Sequence, residues 1–303
     1  PALARLLQAV AAQGPQAFYA GAIPTACAAA VQAAGGVLAA ADFSAHQGNF
    51  CTPVSTSFRG ATIYECPPNT HGVAVLHALA AMQDQAIDMA SAATQVALVQ
   101  AMEAAMAHAQ QTVADPAGNT VCTTVVDGDG LAISLMSSVF KRFGSGIGVA
   151  EGGFVLQNRG HGFSQPGHIN GPAPGKRPYH TVVPGAATRN GQFLGVFGVV
   201  GGAMQPQGQV QLLCRLLAGG EAPQPALNQP RWRLEGGRVL AVEAGMPPAI
   251  TAALRAQGYR EPSGEGELGG RSDFGGAQCI WRLADGQLCG ASDQRKDGLA
   301  LAV

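Results

Sequence analysis

Charge is scarce in this sequence: 12% of its residues are Asp, Glu, Lys or Arg, and they sum to a net charge of −1. There is no basic stripe and no Lys/Arg patch interleaved with aromatics, which argues against a nucleic-acid partner. No apolar run reaches the roughly 18 residues that a membrane-spanning helix needs. The cysteines (Cys27, Cys51, Cys66, Cys122, Cys214, Cys279 and Cys289) are odd in number and contain no CxxC pair. That pattern argues against a disulfide framework or a zinc site and fits a reducing compartment. The histidines show neither HxH nor HxxxH spacing, so no metal centre is expected and nothing implies a cofactor. There is no internal repeat, and the one soft stretch is 107–119. The chain opens on PALARLLQAVAAQG, without an initiator Met or a signal peptide. The expectation is therefore a fragment or a processed product, placed in the cytoplasm with the periplasm left open.

What is present is a globular composition, 47% hydrophobic over 303 residues, enough for one large domain or two small ones. Glycine is abundant at 42 residues, which calls for tight turns and close backbone approaches. Leu3, Leu6, Leu7 and Val10 recur at helical spacing until Gly14-Pro15, and a second helix runs to Gly35-Gly36. PVSTSFRG and ATIYECPP alternate around Arg59-Gly60 as a hairpin. HGVAVLHALAAMQ and SAATQVALVQAMEAAMAHAQ read as Ala-rich helices. From Thr120 onward strands dominate: TVCTTVVD with LAISLMSS, TVVPGAAT with QFLGVFGVVGG, RVLAVEAG, and AQCIWRL with QLCGASD. FGSGIGVAEGGF reads as a Gly-rich loop, and QPQGQVQLLCRLLAGG and PPAITAALRAQGY as helices. Helices flanking two sets of antiparallel strands give an α+β fold, a layered αββα sandwich with its sheets face to face.

Thr120 follows the loose segment ADPAGN and opens a β-branched strand ending in Asp127-Gly128-Asp129-Gly130. A Thr hydroxyl is a poor nucleophile until a base takes its proton. A Thr that begins a chain carries such a base in its own α-amino group. This chemistry needs a backbone cut before the Thr, an accessible segment upstream and a rigid strand downstream. The local pattern supplies each of these, although a Thr at the start of an ordinary strand has the same surroundings. Cys122 is a rival nucleophile by thiol chemistry.

The motifs resemble, in order, the gamma-glutamyltransferase family of N-terminal-nucleophile hydrolases. TVCTTVVDGDG (120–130) resembles the start of its small subunit, FGSGI (143–147) its Gly-rich loop and LQNRGHGFS (156–164) its substrate loop. GKRPYHTVVPG (175–185) resembles the segment lining the acyl pocket, GVVGGAMQPQG (198–208) the turn behind the oxyanion hole, and GASDQRKDG (290–298) the C-terminal signature. Upstream, FYAGAI (18–23), GGVLAAADFSAH (35–46), STSFRGATIYECPPNTHG (55–72) and VADP (113–116) resemble the end of the large subunit. The resemblance implies the αββα fold, with residues 1–119 as the C-terminal part of the large subunit and 120–303 as the small subunit. It implies a zymogen that cleaves itself between Asn119 and Thr120, with Thr120 as nucleophile. Ser138 matches a Thr that hydrogen-bonds the nucleophile, and its alternative is an ordinary strand hydroxyl. Gly201 and Gly202 match the oxyanion-hole donors, each worth roughly 3–4 kcal/mol in the transition state. By the same comparison about the first half of the precursor lies outside this sequence, including an Arg of the substrate pocket.

The sequence also departs from the transferases. Their acidic residue and Asn, which hold a substrate α-ammonium, fall on Gly162 and Phe140, and their Ser-Ser pair on His180-Thr181. An α-ammonium would enter without an anionic partner, which is costly. Arg159 stands where transferases have a neutral or acidic residue, and its planar fork suits a carboxylate. The alternatives are a salt bridge for Arg159 and a structural role for His180, while Arg142 and Arg271 are expected as surface charges. The pattern is similar to a divergent branch that includes oxamate amidohydrolase and acylase-like members. The expected activity is hydrolysis of a small carboxylate-bearing amide. A gamma-glutamyl transpeptidase or glutathione hydrolase, and an inactive or incomplete fragment, stand as alternatives. The expected partners are that substrate and the two processed chains with each other, in a possible dimer.

Overall fold

The computed structural model describes residues 1–113, 119–141, 143–262 and 274–303. Segment 114–118, Arg142 and Arg271 lie outside the described residues. The chain forms two compact units: Pro1–Cys51 with Val139–His161, and Thr52–Ser138 with Gly162–Val303. These are units of packing, whereas the expected division at Asn119 and Thr120 is one of processing.

The smaller unit holds helices α1 (Ala2–Gln13), α2 (Gln16–Tyr19), α3 (Ala22–Ala33) and α4 (Ala40–Ser44). α1 and α3 lie where the apolar spacing puts them, and α2 and α4 are short turns that left no periodic trace. The expected Gly-rich loop carries a small hairpin, β5 (Gly148–Val149) with β6 (Phe154–Val155). Phe18 packs its ring against Phe43 and Phe154, joining the helices to this hairpin.

The larger unit is built on a six-stranded antiparallel sheet. Its order is β1 (Val54–Phe58), β2 (Ala61–Glu65), β7 (Gly185–Arg189), β8 (Gln192–Val200), β11 (Gly276–Arg282) and β12 (Leu288–Ser292). Its hairpins turn where the sequence allows positive φ. Arg59 and Gly60 (φ 51° and 74°) join β1 to β2, and Asn190 and Gly191 (φ 53° and 74°) join β7 to β8. Helices α5 (Gly72–Met82) and α7 (Met204–Leu217) cover one face, and α6 (Ala92–Thr112) packs on α5. Phe58, Ile63, Leu79, Leu98, Met102, Phe197, Val199 and Val210 close the core between them with almost no solvent exposure. α8 (Pro223–Asn228) packs on β12, α9 (Pro248–Ala256) packs on α6, and Tyr259 Oη donates to Glu103 Oε2 at 2.7 Å.

On the other face lies the hairpin of β3 (Asn119–Val126) and β4 (Ala132–Phe140), with β3 against β8 and β11. The two sheets are therefore face to face, and the α+β class stands. Along both hairpin strands, inward residues are half-buried and outward ones exposed, the period-2 pattern expected of strands covered on one side. No described helix is long and apolar enough to cross a membrane.

α7 is buried along nearly its whole length, between β8 and a third hairpin of β9 (Trp232–Gly236) and β10 (Val239–Val242). Its Pro206 falls in the first turn, where a missing N–H costs no intrahelical bond. Its glutamines point two ways. Gln207 accepts from Leu234 N–H (2.7 Å) and donates to Leu234 C=O (3.1 Å). Gln211 does the same with Trp232 (3.1 and 3.0 Å), so two side chains clasp β9 as a neighbouring strand would. A half-turn round the helix, Gln205 and Gln209 grip Val183 instead.

Candidate active site

Thr120 is the second residue of β3 and is half-buried on the inward face, in line with Cys122, Thr124 and Val126. Asn119 opens the same strand. Asp127 caps the end of the hairpin, its carboxylate accepting from Asp129 N–H (3.0 Å) and Leu131 N–H (2.8 Å). Its own N–H donates to Leu131 C=O at 3.0 Å. Ser138 is half-buried on the inward face of β4, in line with Ser134 and Met136.

Gly201 and Gly202 form the turn between β8 and α7. Their φ angles, 118° and 60°, lie in the range where a side chain is strained, and a Cβ on Gly201 would come 3.0 Å from Gly275 Cα. The turn runs directly into the helix, Gly201 C=O accepting from Met204 N–H and Gly202 C=O from Gln205 N–H, both at 3.1 Å. The side chain of Gln205, with no exposed surface, then returns to β3: its Nε2 donates to Thr120 Oγ1 at 2.9 Å. Its Oε1 accepts from Val183 N–H at 3.1 Å. The nucleophile candidate, the Gly-Gly turn and the segment after Thr181 are thus tied together through one residue.

His180 and Thr181 lie two and three residues before Val183. His180 is half-buried; its N–H donates to Asn69 C=O (2.8 Å) and its Nδ1 accepts from Val182 N–H (3.2 Å). Thr181 is fully buried and its C=O lies 3.0 Å from Nε2 of His71, whose ring meets Tyr179 edge-on. The loop before α5 therefore braces this segment.

Arg159 belongs to the smaller unit, in the single 3-10 turn Arg159–Gly162. It is 6% exposed and its guanidinium lies 4.2 Å from the ring centroid of Phe140, a cation–π contact. Burial pulls its pKa down to about 10, so it is still cationic at neutral pH. The sequence alternative of a surface salt bridge does not fit this burial. Phe140 is itself buried at φ 77°, an uncommon conformation for a bulky residue. In the larger unit, a Cβ on Gly162 would lie 2.9 Å from Tyr179 C=O, so the backbone leaves no room there for an acidic side chain.

Cys122 fills the space between the sheets: a Cβ on Gly198 of β8 would be 2.5 Å from its Sγ. Burial raises its pKa to about 12, partly offset by a side-chain hydrogen bond shared with Ser134. Packed between the sheets with its thiol held in the neutral form, Cys122 fits a packing role better than a nucleophilic one. No group of three or more metal-ligating side chains occurs among the described residues. Gln205 is the residue that sequence reasoning missed. A Gln in the first turn of a helix carries no local signal of a partner 85 residues away.

The sequence profile of gamma-glutamyltranspeptidase matches residues 1–122 and 116–303, and the chain belongs to that family. It is 31% identical to the oxamate amidohydrolase proenzyme of Klebsiella pneumoniae, over 99% of this chain and 64% of that protein. It is 29% identical to the glutathione hydrolase-like YwrD proenzyme of Bacillus subtilis, over 99% of this chain and 65% of that protein. Among solved structures it is similar to the cephalosporin acylase of Bacillus halodurans, with a TM-score of 0.91 and 31% identity, over 98% of this chain and 61% of that one. The chain thus spans somewhat less than two thirds of the length of these relatives.

Proposed function

We propose that this chain is the catalytic part of an amide hydrolase that self-cleaves between Asn119 and Thr120, giving pieces 1–119 and 120–303. The observation that carries the reading is the hydrogen-bonded tie between Thr120 Oγ1 and the helical turn that Gly201-Gly202 begins. After cleavage the α-amine of Thr120 takes the hydroxyl proton, and Oγ1 attacks the substrate carbonyl. The N–H groups of Gly201 and Gly202 receive the oxyanion. The C–N bond then breaks, the proton passes to the leaving amine, and water hydrolyses the ester left on Thr120. An α-amine near its ordinary pKa of roughly 7.7–8.0 is partly neutral at neutral pH and serves as this base. The proenzyme names of the relatives accord with such processing.

The acyl group is small, bears a carboxylate and lacks an α-ammonium. Support comes from Gly162, where an acidic partner for an ammonium has no space, and the carboxylate accords with the name of the 31% identical oxamate amidohydrolase proenzyme. Transfer of gamma-glutamyl groups is disfavoured on the same ground.

Intact mass spectrometry of the purified protein tests the first step. Two fragments meeting between Asn119 and Thr120, replaced by one chain in Thr120→Ala, are expected. A single uncut parent chain would overturn the reading. Cleaved protein is then expected to release ammonia from a small 2-oxo amide acid faster than it releases the chromophore from a gamma-glutamyl anilide.

A further inference from the structure

We infer that Gln205 is a directional donor to the nucleophile: it fixes the rotamer of Thr120, sets where the hydroxyl proton points, and stabilises the oxygen as charge develops on it. The inference rests on the reading of Thr120 as nucleophile and adds a residue to that machinery. The orientation of the Gln205 amide follows from elementary hydrogen-bond chemistry. A backbone N–H can only donate, so the Gln205 atom facing Val183 N–H is the oxygen, and the atom facing Thr120 is therefore the NH₂. Thr120 Oγ1 must accept, and its own proton cannot go to Gln205, whose acceptor faces Val183. One lone pair is taken by Gln205, the proton is turned toward the base, and the second lone pair is left for attack.

The bond also changes strength along the reaction. A neutral amide donor holds a hydroxyl modestly, and holds an oxygen carrying negative charge about twice as strongly. That condition arises when Oγ1 loses its proton on attack and again when it departs from the acyl-enzyme. Gln205 thus acts on the nucleophile oxygen, while Gly201 and Gly202 act on the carbonyl oxygen.

The bland alternative is that Gln205 is one more structural glutamine of α7. The helix itself supplies the comparison. Gln207 and Gln211 direct both amide ends at the peptide groups of β9, and Gln209 directs its nitrogen at Val183 C=O. Among these four, Gln205 directs its nitrogen at a side-chain hydroxyl, and that hydroxyl is Thr120. Because its other end holds Val183, three residues after His180, the donor is registered to the segment that carries the substrate-contact candidates.

The test uses the full chain with Gln205→Met, which keeps length and removes the donor, and Gln205→Glu, which keeps an acceptor for Val183 N–H. Circular dichroism and melting establish folding of each. The rate of cleavage at 119/120 and the kinetics of amide hydrolysis are then measured against parent. Gln205→Met is expected to lower the cleavage rate and kcat on the order of 10²-fold, the size of a lost oxyanion donor, with KM little changed. Gln205→Glu is expected to keep a pH-dependent share of activity: its kcat relative to parent rises as pH falls, because a protonated carboxyl donates to Oγ1 and a carboxylate does not. A purely structural glutamine would not produce that slope. A cut, active parent with an equally fast Gln205→Met would overturn the inference and leave the reading of Thr120 intact. A flat Gln205→Glu to parent ratio would do the same. An uncut parent would overturn the reading of Thr120 and this inference with it.

Discussion

At the scale of the residue, Gly162 shows how an absence can define a site. A transferase needs an acid there to meet an ammonium, and here a Cβ would stand 2.9 Å from Tyr179 C=O. The loop is also pinned, because Asn170 Nδ2 donates to Gly162 C=O (2.6 Å) and Asn170 Oδ1 accepts from Tyr179 N–H (2.9 Å). Gly162→Asp is therefore expected to destabilise by about 1–3 kcal/mol, as overpacking of a closed site does. It is also expected to confer no gamma-glutamyl anilide turnover. Urea unfolding and the anilide assay check both, and a stable variant that turns over the anilide would refute the steric argument. Thr120, Gly201 and Gly202 are proposed from the sequence through the ordered family motifs around them, because a Thr at a strand start and a Gly-Gly turn carry no such signal locally. Arg159 was legible as an unusual cation but not as a buried one stacked on Phe140, since both residues are unremarkable in their local strings. Gln205 was illegible because its role is defined by Thr120 and Val183, brought to it by the fold.

At the scale of the element, the strongly periodic pieces were readable and the pieces defined by their neighbours were not. α1, α3, α5, α6 and α9, and the hairpins turning at Arg59-Gly60, Asn190-Gly191 and Asp285-Gly286, lie where the spacing puts them. The strand expected over 181–188 begins only at Gly185, because Thr181 and Val183 are engaged by His71, Gln205 and Gln209 rather than by a strand. β9 was missed: WRLEG has weak alternation, and its strand character comes from β10 on one side and two glutamines of α7 on the other. This makes a prediction about α7. Gln207→Leu is nearly isosteric but leaves Leu234 N–H and C=O buried without that partner. Unsatisfied buried groups cost about 1–3 kcal/mol each, more than the added apolar contact returns. The unfolding free energy is expected to fall by roughly 2 kcal/mol or more, with β9 amides exchanging with deuterium faster than those of β8. Unchanged β9 protection would show that the clasp does not hold the strand.

At the scale of the whole molecule, two buried carboxyls set opposite ends of the stability–pH curve. Asp293, in the C-terminal signature, accepts from Arg231 Nη2 (2.6 Å), Arg295 Nη1 (3.0 Å), Ala277 N–H (2.8 Å) and Arg295 N–H (3.0 Å). Burial alone would raise its pKa, but Arg231, the two backbone N–H groups and Arg295 outweigh it and hold it below the usual value. A depressed carboxyl contributes stability that is present above its unfolded pKa of about 3.9 and lost as pH falls through its folded pKa. Glu65 is the reverse case. It ends β2 with 1% exposure, its carboxyl lies beside Gly72 at the start of α5, and neither oxygen has a hydrogen-bond partner among the described residues. Burial pushes its pKa well above the ordinary value. The fold therefore favours its neutral form, and that stability, complete below the unfolded pKa of about 4.3, is lost as pH rises through the folded pKa. The expected result for Glu65→Gln is a melting curve that matches parent in acid and exceeds it increasingly toward alkaline pH. Asp293→Asn should lose about 3–5 kcal/mol at neutral pH, because Arg231 remains buried with its carboxylate partner removed, while Arg295 keeps Glu243. Its deficit should shrink as pH falls, since acid protonates the parent residue as well. Melting temperatures of the three proteins across the pH range decide this, and parallel curves would mean that neither carboxyl titrates with folding.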